Sequence, residues 1–371
     1  MSLNYSATSN KKNRGQFYTT NSSYILEGLP RPPKSARCII EPFAGKGDLI
    51  EWMQKSNYDL PIESYDIEPK SPGIIRRDTL LDPPNYEGAW IITNPPYLAR
   101  NKCNNKEIYD LYGLNDLYKC FITSIIKQHC RGGIMIIPAG FFFSAREVDR
   151  RCRAEFMEKY KITTVKYFEE RVFADSATTV VAISFEESRA KLESQQVDWI
   201  MMPSREKKVF TMSSANNWIV GGEIYFLQIP ESVRISRHVE GKKMKEGTQQ
   251  TFMTLSALDS GTQDKRIRLE YKKDYVYAAK ECSRTYATLR VSGKTLSEEE
   301  QISLCSAFNE FIEKKRAETW SLFLPQFRES KEYARKRIPF SLAYDILLHI
   351  IHLQTHDKIT SSARECVNCA N

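Results

Sequence analysis

Between residues 37 and 186 the apolar positions fall into short β-branched runs separated by amphipathic stretches, the rhythm of strands alternating with helices in a mostly parallel sheet. Residues 37–41 read as a first strand, 42–47 as a tight turn and 48–55 as a helix. Further strands are predicted at 62–67, 90–93, 133–138, 160–168 and 178–185, with another ending near Asp78, and an amphipathic helix at 115–129. The fold class read from this pattern is α/β, with about seven strands of which the last two run antiparallel. After residue 186 the rhythm changes. Short β-like runs at 208–211, 218–220, 225–229, 267–271 and 286–291 alternate with basic loops, and the remainder of the chain reads as helical. Ser297-Glu298-Glu299-Glu300 is a capping box that opens a helix reaching about residue 317. The chain thus divides into a flexible basic arm at 1–14, an α/β domain at 15–186 and a mixed α+β domain at 187–371.

Composition narrows the class without naming it. The chain has 371 residues, 41% of them hydrophobic and 27% charged, which excludes a collagen-like or wholly disordered chain. No apolar run approaches the ~18 residues of a membrane-spanning helix, and the polar start of the chain lacks a secretory leader, so an intracellular protein is expected. Nine scattered cysteines form no disulfide framework. The charge is 54 basic against 46 acidic residues, and its placement matters more than its total. A basic run spans residues 234–245, and residues 265–294 carry nine Lys or Arg against three acids. Such runs suit a polyanion, because each cation set against a phosphate releases counterions. A solvated surface face is the alternative for either run.

The residues that carry chemistry lie in the first half. Asn94-Pro95-Pro96-Tyr97 follows a predicted buried strand, and its two prolines make a stiff turn at the strand end where open α/β sheets bind ligands. Such a turn can aim the Asn94 side-chain oxygen and the Pro95 carbonyl at one point. Two acceptors converging on an exocyclic NH2 hold both hydrogens and leave the nitrogen lone pair free for an electrophile, while Tyr97 stacks on a flat ring. Earlier, Glu41-Pro42-Phe43-Ala44-Gly45-Lys46-Gly47 places glycines at the first strand-to-helix turn, where backbone can approach a ligand closely. It lacks both the three-glycine dinucleotide pattern and the phosphate-loop ending, which argues against NAD and ATP. Asp66 ends the second strand, where a carboxylate can hold ribose hydroxyls, and Asp78 is suited to accept from an adenine amino group. Taken singly, either acid is also an ordinary turn former.

In this order the residues resemble the class I S-adenosylmethionine-dependent amino-methyltransferases of DNA, whose fold is Rossmann-like. The likeness covers residues 15–186 and follows the gamma arrangement, with target recognition at the carboxyl end. Gly15-Gln16-Phe17-Tyr18-Thr19-Thr20 resembles the upstream cofactor motif, implying roles for Gln16, Phe17, Tyr18 and Thr19. Glu41, Phe43, Ala44, Gly45 and Gly47 match the cofactor loop, although the family more often begins it with Asp. Asp66 and Ile67 match the ribose-binding position, and Asp78 the adenine-contacting acid. Asn94 to Tyr97 is similar to the catalytic tetrapeptide of adenine-N6 enzymes, and Phe173 to the later aromatic that packs on the extruded base.

The resemblance implies S-adenosyl-L-methionine as cofactor, double-stranded DNA as partner, a flipped-out adenine as target, and no metal. His349, His352 and His356 with Cys366 and Cys369 lack the spacing of a zinc site. A cognate restriction endonuclease is a possible partner, and a type II restriction-modification-like, orphan or viral enzyme fits the pattern. Lys242, Lys243, Lys265, Arg266, Arg268, Lys272 and Lys273 are the expected phosphate contacts. Three alternatives stay open: methylation of RNA adenine, methylation of a protein glutamine, and a DNA-binding module on the same fold without catalysis.

Overall fold

The computed structural model describes residues 19, 21–55, 59–173, 178–259, 266–327 and 334–368; the expected arm at 1–14 lies outside them, as do Gln16, Phe17, Tyr18 and Lys265. The chain divides into two compact units, residues 1–220 with 327–334, and residues 221–326 with 335–371.

The first unit is built on one sheet. Its strands are β1 (Ile39–Glu41), β2 (Ile62–Asp66), β3 (Ile75–Arg76), β4 (Trp90–Thr93), β5 (Gly132–Pro138), β6 (Tyr160–Phe168), β7 (Val180–Glu187), β8 (Ser194–Met202) and β9 (Lys207–Ser213). They lie in the order β3-β2-β1-β4-β5-β7-β6-β8-β9. The neighbours from β3 to β5 are parallel, whereas β7 runs antiparallel to both β5 and β6. Two expectations are corrected here. The sheet has nine strands, not about seven, because the β8–β9 hairpin extends it past β6. The same hairpin moves the domain division from 186/187 to 220/221. Its alternating pattern is that of a strand pair with one buried face: Val197, Trp199 and Met201 are buried in β8, and Phe210 and Met212 in β9.

Local sequence explains why the sheet closes tightly at its centre. β5 is buried along nearly its whole length and sits between β4 and β7. A Cβ on Gly132 would stand 2.5 Å from the Phe185 carbonyl oxygen, and one on Gly133 would stand 2.2 Å from that of Ile91, so only glycine fits at either position. The helix predicted at 115–129 spans Leu117–Gln128 and ends at His129, whose backbone is left-handed (φ 56°). A short helix, Ser22–Leu26, begins three residues after Thr19. Buried Lys166 of β6 tethers it by donating to the carbonyls of Tyr24 and Glu27, each at 2.9 Å. Burial drives the Lys166 amine down to about 8.

Among the described residues the second unit carries a four-stranded antiparallel sheet in the order β10-β14-β11-β13, from β10 (Arg234–Arg237), β11 (Thr248–Ser256), β13 (Arg268–Tyr271) and β14 (Tyr286–Ser292), while the short β12 (Leu258–Asp259) belongs to a separate small sheet. The capping box forms: Ser297 Oγ accepts from Glu300 N (3.2 Å), Glu300 Oε2 accepts from Ser297 N (3.0 Å), and the helix runs Glu298–Thr319. Its Asn309 side chain bonds the edge strand β13 twice, accepting from Leu269 N and donating to Leu269 O, both at 2.9 Å. A final helix spans Phe340–Asn368. Residues 225–229 form no strand; a 3-10 turn occupies Gly222–Phe226.

Replacing Lys166 by Met leaves the Tyr24 and Glu27 carbonyls without their donor. A loss of about 1–3 kcal/mol in unfolding free energy is expected, read from the urea midpoint; an unchanged midpoint would show that the tether contributes nothing.

Candidate active site

β1 and β4 are neighbours whose connections leave toward opposite sides of the sheet, so their carboxyl ends open the crevice where ligands bind in such folds. Glu41, the last residue of β1, is 1% exposed. Its Oε1 accepts from Thr93 Oγ1 at 2.8 Å and from Phe43 N at 3.1 Å, joining the end of β1 to the residue before Asn94. Burial pushes the carboxyl up to about 8 against these two hydrogen bonds, and the nearby Asp66 charge adds to the shift. Its other oxygen, Oε2, is buried with no hydrogen-bond partner among the described residues.

The glycine turn follows. Gly45 (φ 54°) and Gly47 (φ 92°) both take left-handed backbone, which explains glycine there. Gly45 N donates to Asp66 Oδ2 at 2.8 Å, and Asp66 Oδ1 accepts from Glu68 N at 2.7 Å. Asp66 therefore clamps the turn against the end of β2. Asp78 Oδ1 accepts from the backbone N–H of Leu80 (3.1 Å) and Leu81 (3.3 Å), the turn-forming role open to it, while nothing among the described residues bonds its Oδ2. Thr79 Oγ1 donates to Pro42 O at 3.0 Å, tying this segment to the glycine turn.

In the Asn-Pro-Pro-Tyr turn, the Asn94 Nδ2 donates to Thr19 Oγ1 at 3.1 Å, and the Tyr97 hydroxyl reaches Asn94 Oδ1 and, at 2.6 Å, the Ile136 carbonyl. One hydroxyl proton is shared between two acceptors. These contacts fix which way round the Asn94 amide sits. The Tyr97 ring, expected to stack on a flat ring, is 8% exposed in this structure and packs edge-on against Tyr118, with centroids 6.3 Å apart.

One cavity of about 410 Å³ gathers most of these residues, a size in the range of small-molecule sites. Its wall includes the predicted Thr19, Phe43, Ala44, Gly45, Asp66, Ile67, Asp78, Asn94 and Pro96. Glu41, Gly47, Pro95 and Tyr97 stand next to these in the chain but not on the wall. Phe173 is not brought there either; it is 2% exposed, and its carbonyl accepts from Arg171 Nε at 2.9 Å. Sequence reasoning missed the far side, where Leu98, Cys103, Asn105, Ile108, Tyr109 and Leu117 line the cavity with Arg77, Leu80 and Leu81. Only Leu117 carried a signal, as an apolar position opening a predicted helix.

In the second unit the expected phosphate contacts are largely committed to acids. Arg266 pairs with Glu313 (3.0 Å), Arg268 and Lys272 both pair with Glu270 (3.3 and 3.2 Å), Lys273 pairs with Glu298 (3.3 Å), and Lys242 pairs with Glu281. Lys243 is exposed and makes no ion pair among the described residues.

A mixed α/β sheet thus brings a glycine turn after β1 and an Asn-Pro-Pro-Tyr turn after β4 to one cavity. Residues 89–173, which run from β4 through that turn to Phe173, match the family model described as Eco57I restriction-modification methylase. No curated protein sequence matches the chain. Among solved structures, the modification subunit of a putative type I restriction enzyme from Vibrio vulnificus YJ016 is similar at 15% identity and a TM-score of 0.43, over 59% of this chain and 57% of its own. The type IIG restriction endonuclease BpuSI is similar at 13% identity and a TM-score of 0.40, over 61% of this chain and 36% of its own. A putative class I S-adenosylmethionine-dependent methyltransferase from Listeria monocytogenes is similar at 13% identity and a TM-score of 0.37, over 49% of this chain and 64% of its own. The chain thus spans less than two thirds of the length of each of these proteins.

The buried Glu41 carboxyl generates a pH prediction. The folded state keeps its proton up to about 8, whereas the unfolded chain releases it in the ordinary carboxylate range. Between those values the folded state binds more protons, so stability from this group is present at low pH and is lost as pH rises through about 8. Glu41→Gln is expected to narrow the difference in urea midpoint between pH about 5 and about 9; an unchanged difference would contradict the assignment.

Proposed function

We propose that the protein is a DNA methyltransferase that uses S-adenosyl-L-methionine to methylate N6 of an adenine flipped out of the duplex, in a restriction-modification setting. The observation that carries this reading is that the Asn94 carboxamide, the glycine turn, Asp66 and Asp78 share one cavity. The residues fit such a cofactor. Asp78 Oδ2 is an open acceptor for an amino group, and the exposed apolar Ile67 (43%) and Leu81 (44%) stand on the same wall, suited to the two faces of a flat base. Asp66, already accepting two backbone hydrogens, has remaining lone pairs for ribose hydroxyls. Bound there, S-adenosylmethionine supplies an electrophilic methyl group.

An amino nitrogen on an aromatic ring is a poor nucleophile because its lone pair is delocalised. Placement and charge stabilisation must therefore do the work. Asn94 Oδ1 and the Pro95 carbonyl accept the two amine hydrogens and stabilise positive charge as it develops on the nitrogen. Thr19 holds the Asn94 amide in the orientation this needs. Tyr97 stacks on the target only after its hydroxyl leaves the Ile136 carbonyl and Asn94 Oδ1, so the movement that offers the ring also frees the Asn94 acceptor. Extruding the base costs a few kcal/mol, which stacking and backbone contacts offset. No covalent enzyme intermediate is needed.

The test is incubation with methyl-labelled S-adenosylmethionine and, in parallel, duplex DNA, structured RNA and a protein extract, followed by nucleoside mass spectrometry. Label is expected as N6-methyladenine in DNA. Asn94→Ala is expected to lower turnover about a hundredfold or more while DNA affinity is retained. Asp66→Ala is expected to weaken cofactor binding about tenfold. Label confined to RNA or protein would overturn the substrate assignment, and no label anywhere would overturn the activity.

A further inference from the structure

Resting on the DNA-methyltransferase reading, we infer that the second unit grips duplex DNA through two joined loops, residues 238–247 and 272–285, and not through the basic strand positions that the sequence brings forward. The loops leave separate strand ends and lie side by side. Ala279 N donates to His238 O, and Glu240 N donates to Ala279 O, both at 3.0 Å, a short stretch of parallel pairing between Val239 and Ala279. The Lys242–Glu281 ion pair crosses the same seam, and Arg237 Nη2 donates to the Glu281 carbonyl at 2.6 Å. The two segments therefore present one surface.

That surface carries what a nucleic-acid contact needs. Lys243, Lys245, Lys280 and Arg284 are exposed and have no acid partner among the described residues. Arg266, Arg268, Lys272 and Lys273 spend their charge on Glu313, Glu270 and Glu298. The same two loops carry an exposed apolar tip. Tyr275 is 43% exposed, Val276 39%, Tyr277 37%, and Met244 on the neighbouring loop 48%. The tip is held from below: Tyr277 packs edge-on against Tyr286 with centroids 5.0 Å apart, and Lys272 Nζ donates to the Tyr286 hydroxyl at 3.0 Å. Aromatic groups held in this way, on loops whose four open cations outnumber the exposed acids without an ion pair among the described residues (Glu240, Glu246 and Asp274), match a polyanion that also offers apolar base edges. Lys243, Lys245, Lys280 and Arg284 contact phosphates, and Tyr275 and Tyr277 lie against sugars and base edges.

The experiment titrates the full chain with a mixed-sequence duplex over a range of salt concentrations. The wild type is expected to bind with a steep dependence of affinity on salt. Removing all four loop cations (Lys243→Ala, Lys245→Ala, Lys280→Ala, Arg284→Ala) is expected to lower the logarithmic slope by about three to four. Arg268→Ala with Lys273→Ala is expected to change it by less than about one. Tyr275→Ala with Tyr277→Ala is expected to weaken binding about tenfold at an unchanged slope, as the loss of uncharged contacts to sugars and base edges does. Unfolding midpoints confirm that each variant is folded. Salt-dependent binding by the wild type that survives removal of the loop cations, or that falls equally with the strand cations, would overturn the loop assignment and leave the methyltransferase reading standing. No duplex binding by the wild type would overturn both.

Discussion

The candidate site depends on one buried hydrogen bond, from the Thr93 hydroxyl to the Glu41 carboxyl. The two residues end neighbouring parallel strands, and each is followed directly by a turn that lines the cavity. The backbone pairing of β1 with β4 brings the glycine turn and the Asn-Pro-Pro-Tyr turn side by side, and that bond is the side-chain tie at their base. With it they share a foundation, because Glu41 also holds the Phe43 N–H at the start of its own turn. The cost is visible in the protonation of the carboxyl, which burial favours so far that it titrates at about 8. A buried carboxylate with one oxygen unpartnered is expensive, and keeping its proton is the cheaper state for the molecule.

A second layer of bonds builds on this base. Asp66 draws the glycine turn toward β2, and Thr79 draws the following segment toward Pro42, so three strand ends converge on one cavity. On the other side Asn94 is held between Thr19 and Tyr97. Thr19 lies just before a short helix that Lys166 pins to β6, which links the placement of the Asn94 amide to a contact on the antiparallel side of the sheet. The candidate residues are thus oriented by groups spread over much of the first unit.

The parts legible in the sequence are those where local pattern and chemistry coincide. The strands ending at Glu41, Asp66 and Thr93 are short β-branched or aromatic runs, and the turns after them contain residues with unusual backbone demands, so their places in the fold could be read. The far wall of the cavity, from Leu98 to Leu117, was not legible because its apolar residues come from turns and short helices whose faces only the folded chain defines. The β8–β9 hairpin was misassigned for a different reason: it follows a break in the helix–strand rhythm, and only pairing to β6 returns it to the sheet. Charge was the least legible property. Arg266, Arg268, Lys272 and Lys273 stand out in a basic run, but acids remote in sequence, such as Glu313 and Glu298, neutralise them in the fold.

The central claim is that the cavity between the glycine turn and Asn94 holds the methyl donor. Ultraviolet crosslinking of methyl-labelled S-adenosylmethionine to the intact protein, followed by peptide mapping, tests it most directly. The account predicts label on peptides containing residues 43–49, 66–81 or 94–109, and its loss when unlabelled cofactor competes. Label on peptides from residues 221–326, or label that competitor does not displace, would contradict it.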